Sequence, residues 1–148
     1  GGWDHHGDIR NALPRSCAGA DQPIGGLIAD LKQRGLLDET LVMVSGEFGR
    51  TPRIDVKPGT KSKVMQPGRD HWPGAMSVLV SGGGAPMGQV IGSTTAKGEY
   101  AKDNKLDPND LLATVYHFMG IDQNHEFLDR SGRPMPILPH GSPIKELI

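Results

Sequence analysis

Three short segments of the chain combine carboxylates with imidazole or guanidinium groups, the side chains that bind divalent metals and carry out acid–base chemistry. Residues 3–8 read WDHHGD, residues 46–53 read GEFGRTPR, and residues 68–74 read GRDHWPG. The chain has a single cysteine, so a metal bound here would have oxygen and imidazole ligands rather than paired thiolates. Each segment also has a purely structural interpretation, which the spacing alone leaves open.

The first segment places two candidate metal ligands on one face of the chain. In an extended segment alternate side chains point to the same side, so Asp4 and His6 can bind one ion while His5 faces away. The alternative is a solvated loop whose histidines have no joint role. The spacing allows a metal site at Asp4 and His6 without requiring one.

The second segment follows a predicted strand. Ligands of open parallel α/β sheets bind at the carboxyl ends of the strands, so Glu47 is a candidate metal ligand or general base. Arg50 offers a planar set of N–H donors that suits an oxyanion. The alternative is that Glu47 caps a loop and Arg50 pairs with it.

The third segment pairs an acid with a histidine. Asp70 can hold one ring N–H of His71 and so direct the other ring nitrogen toward a metal. The alternative is a loop anchored by Trp72, in which the hydrogen bond of His71 is structural. Only the presence of the other two segments favours the metal-binding interpretation.

The elements that must position these segments follow from apolar periodicity. Apolar residues recur at helical spacing through residues 24–37. Residues 40–45 and 76–80 are short apolar runs that predict buried strands. Residues 47–74 between them form a long loop rich in proline, glycine and basic residues, and loops of this length are usually functional or disordered. A helix followed by buried strands predicts an α/β fold.

Further elements are predicted downstream. Residues 89–94 are a candidate third strand. Asp107 is a suitable N-cap for a second helix, Pro108 fits its first position, and Asp110 suits the positive end of the helix dipole.

Composition limits the size and the partners of the protein. The 148 residues suffice for a single domain, residues 1–148, and the 21 glycines and 12 prolines suit part of a larger domain better than a self-sufficient one. Sixteen basic and seventeen acidic side chains give a net charge of −1, with no long run of one sign, which argues against a nucleic-acid partner. No apolar stretch approaches the roughly 20 residues that span a membrane.

The order of these motifs resembles the carboxyl-terminal part of the family catalogued as domain of unknown function 1501. The similarity extends over WDxH, EFGRTP, GRDHWP, DLLATVYHFMGI and GRPMPIL, nearly the whole chain. That family is grouped with the alkaline-phosphatase and sulfatase-like hydrolases. The resemblance therefore implies an α/β/α sandwich with a mostly parallel sheet, of which this chain would be the carboxyl-terminal portion.

The resemblance also implies a metal site. Members of that superfamily usually bind one or two divalent ions, and by position Asp4, His6, Glu47 and His71 would be ligands here. The ion would be zinc, manganese, magnesium or calcium. Phe48 stands where the superfamily has His or Asn, which argues against a strong second metal site.

The implied activity is metal-dependent hydrolysis of phosphate or sulfate esters, with a small-molecule ester as substrate and with Arg50 or Arg69 stabilising the oxyanion. The superfamily's nucleophile lies in the amino-terminal half, so that half would be needed as a partner and this chain alone would be inactive. The resemblance further implies a periplasmic or exported protein. The alternatives are a non-catalytic binding or surface-associated protein with the same fold and, ranked last, a small complete domain with another task.

Overall fold

The computed structural model describes residues 2–59 and 63–148, so residues 60–62 of the predicted long loop lie outside the described residues. Two α-helices and eight short strands make up most of the regular structure that is described. In chain order the elements are α1 (Ile9–Gln33), a 3₁₀ helix (Leu37–Glu39), β1 (Leu41–Val44), β2 (Gly49–Arg50), β3 (Asp55–Pro58), β4 (Met65–Gly68), β5 (His71–Trp72), β6 (Leu79–Gly82), α2 (Pro108–Phe118), β7 (Glu126–Leu128) and β8 (Pro134–Pro136).

The strands pair two by two, and each described pair is antiparallel. The sheets are β1–β6, β2–β5, β3–β4 and β7–β8. In the first, Leu41 lies opposite Gly82 and Val44 opposite Leu79. The pairs β2–β5 and β3–β4 lie in sequence between β1 and β6, and they fill the segment that the sequence predicted to be a long loop.

The predicted fold class is wrong. The described residues contain two helices and short antiparallel strand pairs, without the mostly parallel sheet of an alkaline-phosphatase-like α/β/α sandwich. Parallel neighbours need a long crossover, usually a helix, between them. The two apolar strands recognised in the sequence, β1 and β6, are separated by strand pairs and loops instead, and the chain returns antiparallel to itself. The candidate third strand, residues 89–94, contributes only Thr94, in an isolated bridge to Ala101.

Helix α1 is longer than the sequence predicts. Periodicity indicated a start near residue 24, but the helix begins at Ile9 and runs through Pro14 and Pro23. Proline inside a helix removes a backbone N–H donor and usually marks a helix boundary, so the sequence did not indicate a helix before Pro23. The helix ends as predicted before Gly35, whose φ of 70° is the left-handed conformation that closes many helices.

Helix α2 begins as the sequence predicts. The Asp107 side chain accepts hydrogen bonds from the backbone N–H groups of Asn109 and Asp110, and the Asp110 side chain accepts one from the Asp107 N–H. This reciprocal capping box satisfies donors that the first turn of a helix leaves unpaired.

The small apolar core lies between α2, β6 and the carboxyl-terminal tail. Ala85, Ile144 and Leu147 are buried in it, and partly buried Leu111 and Phe118 of α2 pack against them. The carboxyl-terminal tail beyond β8 is irregular, yet it supplies two of these three buried residues, Ile144 and Leu147.

Much apolar surface remains outside this core. The accessible surface is 10540 Å², whereas a compact monomer of 15.9 kDa exposes about 7,300 Å². No residue of α1 is buried, and Leu27 on this helix is 51 % exposed. Among the described residues, neither helix combines the length and the apolar character needed to cross a membrane.

Thr114 provides a test of how the tail is held. Its side chain is buried, its hydroxyl donates to the Asp110 carbonyl at 2.7 Å, and the same hydroxyl accepts from the Ile144 N–H at 2.9 Å. Thr114→Val keeps the shape but leaves the Ile144 N–H without its acceptor, so we expect a loss of about 1–3 kcal/mol in the free energy of unfolding in urea. Thr114→Ser, which keeps the hydroxyl, should lose less. Equal stability of the valine variant and the wild type would contradict this role.

Candidate metal centre

Three of the predicted metal ligands meet at one point. Single ligand atoms of Asp4, His6 and His71 all lie within 4.8 Å of one another. The first two residues precede α1, whereas His71 lies in β5, so the fold brings together segments that are distant in sequence. Among the described residues this is the one group of three or more histidine, cysteine or acidic side chains that could hold an ion.

One oxygen of Asp4 is the centre of this group. Its Oδ1 lies 3.0 Å from Nε2 of His6, 3.1 Å from Nε2 of His71 and 2.6 Å from Nη1 of Arg50. The register of the β2–β5 ladder explains two of these contacts. Arg50 lies directly opposite His71, and side chains that face each other across a ladder project from the same side.

A second carboxylate lies behind His6. Oδ1 of Asp70 is 2.9 Å from Nδ1 of His6, and Oδ2 of Asp70 forms an ion pair with Lys57 of β3. Asp70 was predicted to contact His71; it contacts His6 instead. Neighbours in an extended chain point to opposite sides, so Asp70 cannot face the ring next to it in sequence.

An aromatic ring covers the other side of His71. The Phe48 and His71 rings are 4.2 Å apart between centroids, and the Arg50 guanidinium carbon lies 5.5 Å from the Phe48 centroid. Phe48 therefore supports the orientations of both His71 and Arg50. Glu47, one residue earlier and also predicted as a ligand, is exposed and lies outside the group. The rule that selected Glu47 applies to parallel sheets, and β1 belongs to an antiparallel pair.

Arg69, the other predicted catalytic residue, braces the backbone of the site. Its guanidinium donates to the carbonyl of Thr51 and, at 3.0 Å, to the carbonyl of Arg50. The Thr51 N–H in turn donates to the Asp70 carbonyl at 2.9 Å. The structure thus places Arg50 at the candidate ligands and Arg69 behind them.

Charge pairing governs the ionisation of this cluster. Hydrogen bonds from Arg50 and then from His71 lower the pKa of Asp4 to about 2, although partial desolvation opposes the shift. Hydrogen bonds from Lys57 and His6 lower the pKa of Asp70, and the same ion pair raises the pKa of Lys57. Both carboxylates are therefore ionised at neutral pH.

The donor set fits a divalent metal ion. Zinc binds histidine nitrogen and carboxylate oxygen at about 2.0–2.2 Å, so neighbouring ligand atoms in a tetrahedral site are roughly 3.3 Å apart. The two separations from Asp4 Oδ1, 3.0 and 3.1 Å, are close to this value. In addition, a ligating histidine almost always donates its other N–H to a carboxylate or carbonyl, which is the arrangement of His6 with Asp70.

Sequence reasoning missed the role of Lys57. This residue lies outside the three segments, and it reaches Asp70 only because β3 and β4 fold into a hairpin beside the third segment. The sequence did contain one indication of this hairpin, namely short runs of β-forming residues separated by turn residues within the predicted loop.

The exposed Asp/His/His cluster, backed by a second carboxylate, is a group of side chains that could hold a metal ion. The whole chain, residues 1–148, matches the family model described as Protein of unknown function (DUF1501), and the chain belongs to this family. Searches among curated proteins and among solved structures each found no match. The family that the order of motifs indicated is therefore confirmed, and its link to alkaline-phosphatase-like hydrolases stays a prediction.

Gly68 tests how closely the first and third segments must approach. A Cβ at this buried position would lie 2.0 Å from the backbone oxygen of His6, so Gly68→Ala must push the two segments apart. We expect a loss of about 1–3 kcal/mol in unfolding free energy, together with altered NMR resonances of the His6 and His71 rings. Gly19→Ala, on an open face of α1 where a Cβ meets nothing within 4 Å, is the control and should be stabilising by about 0.5–1 kcal/mol. Unchanged ring resonances in Gly68→Ala would show that the approach is not required.

Lowering the pH should reduce the contribution of the metal-free cluster to the free energy of unfolding, and it should do so within a defined pH range. The pKa of Asp4 is lowered from 3.8 to about 2, so its contribution to stability is complete above about pH 4 and is lost as the pH falls toward 2. Urea unfolding of metal-free protein across this range should show the loss. In Asp4→Asn, which has no such titration, the slope over the same range should be smaller. Identical slopes in the two proteins would contradict the ion pairing of Asp4.

Proposed function

We propose that this chain binds one divalent metal ion through Asp4, His6 and His71 and that the loaded centre serves in the hydrolysis of phosphate or sulfate esters. The observation that carries the proposal is the convergence of these three side chains from distant segments, with ligand atoms within 4.8 Å of one another. Asp70 supports it, because its contact with Nδ1 leaves Nε2 of His6 directed at the same point.

The ligand chemistry favours borderline metals. Two imidazoles and one carboxylate suit zinc, manganese or iron, whereas magnesium and calcium would require additional oxygen ligands from water or substrate. The side chains are exposed, which leaves room for such a ligand.

The charges of the site favour an anionic substrate. The carboxylates of Asp4 and Asp70 are balanced by the cations of Arg50 and Lys57, each in a direct ion pair. A divalent ion added to this balanced cluster leaves a local excess of positive charge. An anionic ester would neutralise that excess.

The proposed roles of the protein groups follow from their contacts. When bound, the metal would supply Lewis-acid polarisation of the ester oxygen. Arg50 would orient the ester and stabilise developing negative charge through the N–H groups that its contact with Asp4 leaves available. His6 and His71 would be held as ligands by Asp70 and Phe48, and Arg69 would keep the Arg50 and Thr51 backbone in place.

We propose further that the chain works as the carboxyl-terminal part of a longer, exported protein whose preceding part supplies the nucleophile. The exposed area supports a large missing contact. It exceeds the expectation for a compact monomer of this mass by about 3,000 Å². Helix α1, which has no buried residue, supports the same inference.

A non-catalytic binding protein is the second candidate. The observation in its favour is the short contact of Arg50 Nη1 with Asp4 Oδ1, 2.6 Å, because the arginine already occupies the oxygen that a metal would use. In that case the cluster would be a structural ion-pair network.

Metal binding is the first test. We expect protein without a histidine tag to bind about one equivalent of Zn²⁺ or Mn²⁺ in calorimetry and mass spectrometry. Asp4→Ala and His71→Ala should each weaken binding by more than about 100-fold, beyond the 10–100-fold loss typical of outer contacts. Glu47→Ala is the matched control and should bind as the wild type does, because Glu47 lies outside the group. Folded wild type without affinity for either ion would overturn the metal centre.

Hydrolysis separates the two candidate functions. The longer protein, loaded with metal, should release nitrophenol from p-nitrophenyl phosphate or p-nitrophenyl sulfate. Arg50→Ala should keep the metal and lose most of the rate. A longer protein that releases nitrophenol from neither ester would contradict hydrolysis, and one that also holds no metal would support the non-catalytic alternative.

A further inference from the structure

We propose that His5 is a positioning residue of this centre, one that selects His6 rather than His5 itself as the metal ligand. The inference rests on the proposed metal binding and adds a residue that neither the motif nor the cluster assigns. It is argued from the contacts of three consecutive residues, Asp4, His5 and His6.

His5 differs from its neighbours in burial. The residue is 8 % exposed, whereas the side chains of Asp4 and His6 are each 43 % exposed on the side of the cluster. The facing expected from the sequence is therefore present: the outer two side chains face the candidate ion, and the middle one faces the protein. The segment is not extended, however, because the His5 N–H donates to the Trp3 carbonyl at 3.2 Å and the His6 N–H donates to the Asp4 carbonyl at 3.1 Å.

The ring of His5 is fastened to α1. Its Nε2 lies 3.3 Å from the Ser16 hydroxyl oxygen, and that hydroxyl donates to the Gly2 carbonyl at 2.6 Å. Because the only hydroxyl proton of Ser16 is used by Gly2, the His5 Nε2–H is the donor to Ser16. A nitrogen that carries this proton has no lone pair for a metal.

The backbone of His5 is fastened to the third segment. Its carbonyl accepts from the Arg69 N–H at 3.0 Å, and the next carbonyl, that of His6, lies so near Gly68 that no side chain fits there. The ring and the carbonyl together hold the segment between α1 and β4.

The two attachments of His5, through its ring and through its carbonyl, determine which of the two adjacent histidines faces the candidate ion. Imidazoles at positions 5 and 6 are chemically equivalent ligands, and a rotation of the segment would exchange the faces on which they lie. Burial of His5 against Ser16 opposes that rotation. The pair Asp4 and His6 is thereby kept on the side of His71.

The test compares metal affinity in folded variants. His5→Leu fills the buried space without a donor, Ser16→Ala removes the acceptor, and His5→Gln offers an N–H donor in a similar place. We expect His5→Leu and Ser16→Ala each to weaken Zn²⁺ binding by about 10–100-fold, the range for groups that orient metal ligands. The double variant should lose no more than the larger single loss, because both changes remove one contact. His5→Gln should recover most of the affinity. Circular dichroism and urea unfolding select the variants that fold.

The outcomes are distinguishable. If wild type binds no Zn²⁺, the metal centre itself fails. If wild type binds and His5→Leu binds equally well, the centre stands and the positioning role is overturned. If His5→Gln stays as weak as His5→Leu while Ser16→Ala binds normally, His5 is itself a ligand, which also overturns the inference. A change in unfolding free energy with unchanged affinity would leave His5 with a purely structural role and would overturn it as well.

Discussion

A single carboxylate oxygen, Oδ1 of Asp4, organises the site. Two imidazole nitrogens and a guanidinium converge on it within 3.1 Å: His6 comes from the same segment as Asp4, and Arg50 and His71 come from the other two. Such a group is stable only if each approaching side chain is held from behind. Asp70 holds His6, Phe48 supports His71 and Arg50, and Arg69 ties the strand backbones together. The short strand pairs β2–β5 and β3–β4 provide this support in place of a large sheet.

How much of this arrangement the sequence could reveal depends on the range of the interactions. The alternation assumed for residues 4–6 placed Asp4 and His6 on one face with His5 turned away, although the segment is folded by two short-range backbone hydrogen bonds and is not extended. The capping of α2 by Asp107 was likewise readable, because all of its partners lie within three residues. These features depend on local geometry, and local geometry is encoded in short stretches of sequence.

Features that depend on long-range pairing were not readable. Asp70 was expected to contact His71; its actual partner, His6, is 64 positions away in the sequence, and no local pattern identifies it. Lys57 joined the site only through the β3–β4 hairpin. The apolar runs that became β1 and β6 were correctly recognised as strands, yet periodicity carries no information on whether two strands run parallel or antiparallel. The parallel sheet was expected from the family resemblance alone, and the apolar pattern of the two strands could not test it.

The attachment of the site to α1 has a thermodynamic consequence. Ser16 lies on a helix none of whose residues is buried, and through His5 it supports two of the candidate ligands. If the proposed metal ion holds the Asp4–His6 segment in place, it would also favour the contact of His5 with Ser16 on the helix, and any event that steadies the helix would favour metal binding. Coupling between two binding events is reciprocal by necessity. A partner bound to the surface of α1 and an ion bound at the candidate metal centre would then each raise the affinity of the protein for the other, although the two sites are separate.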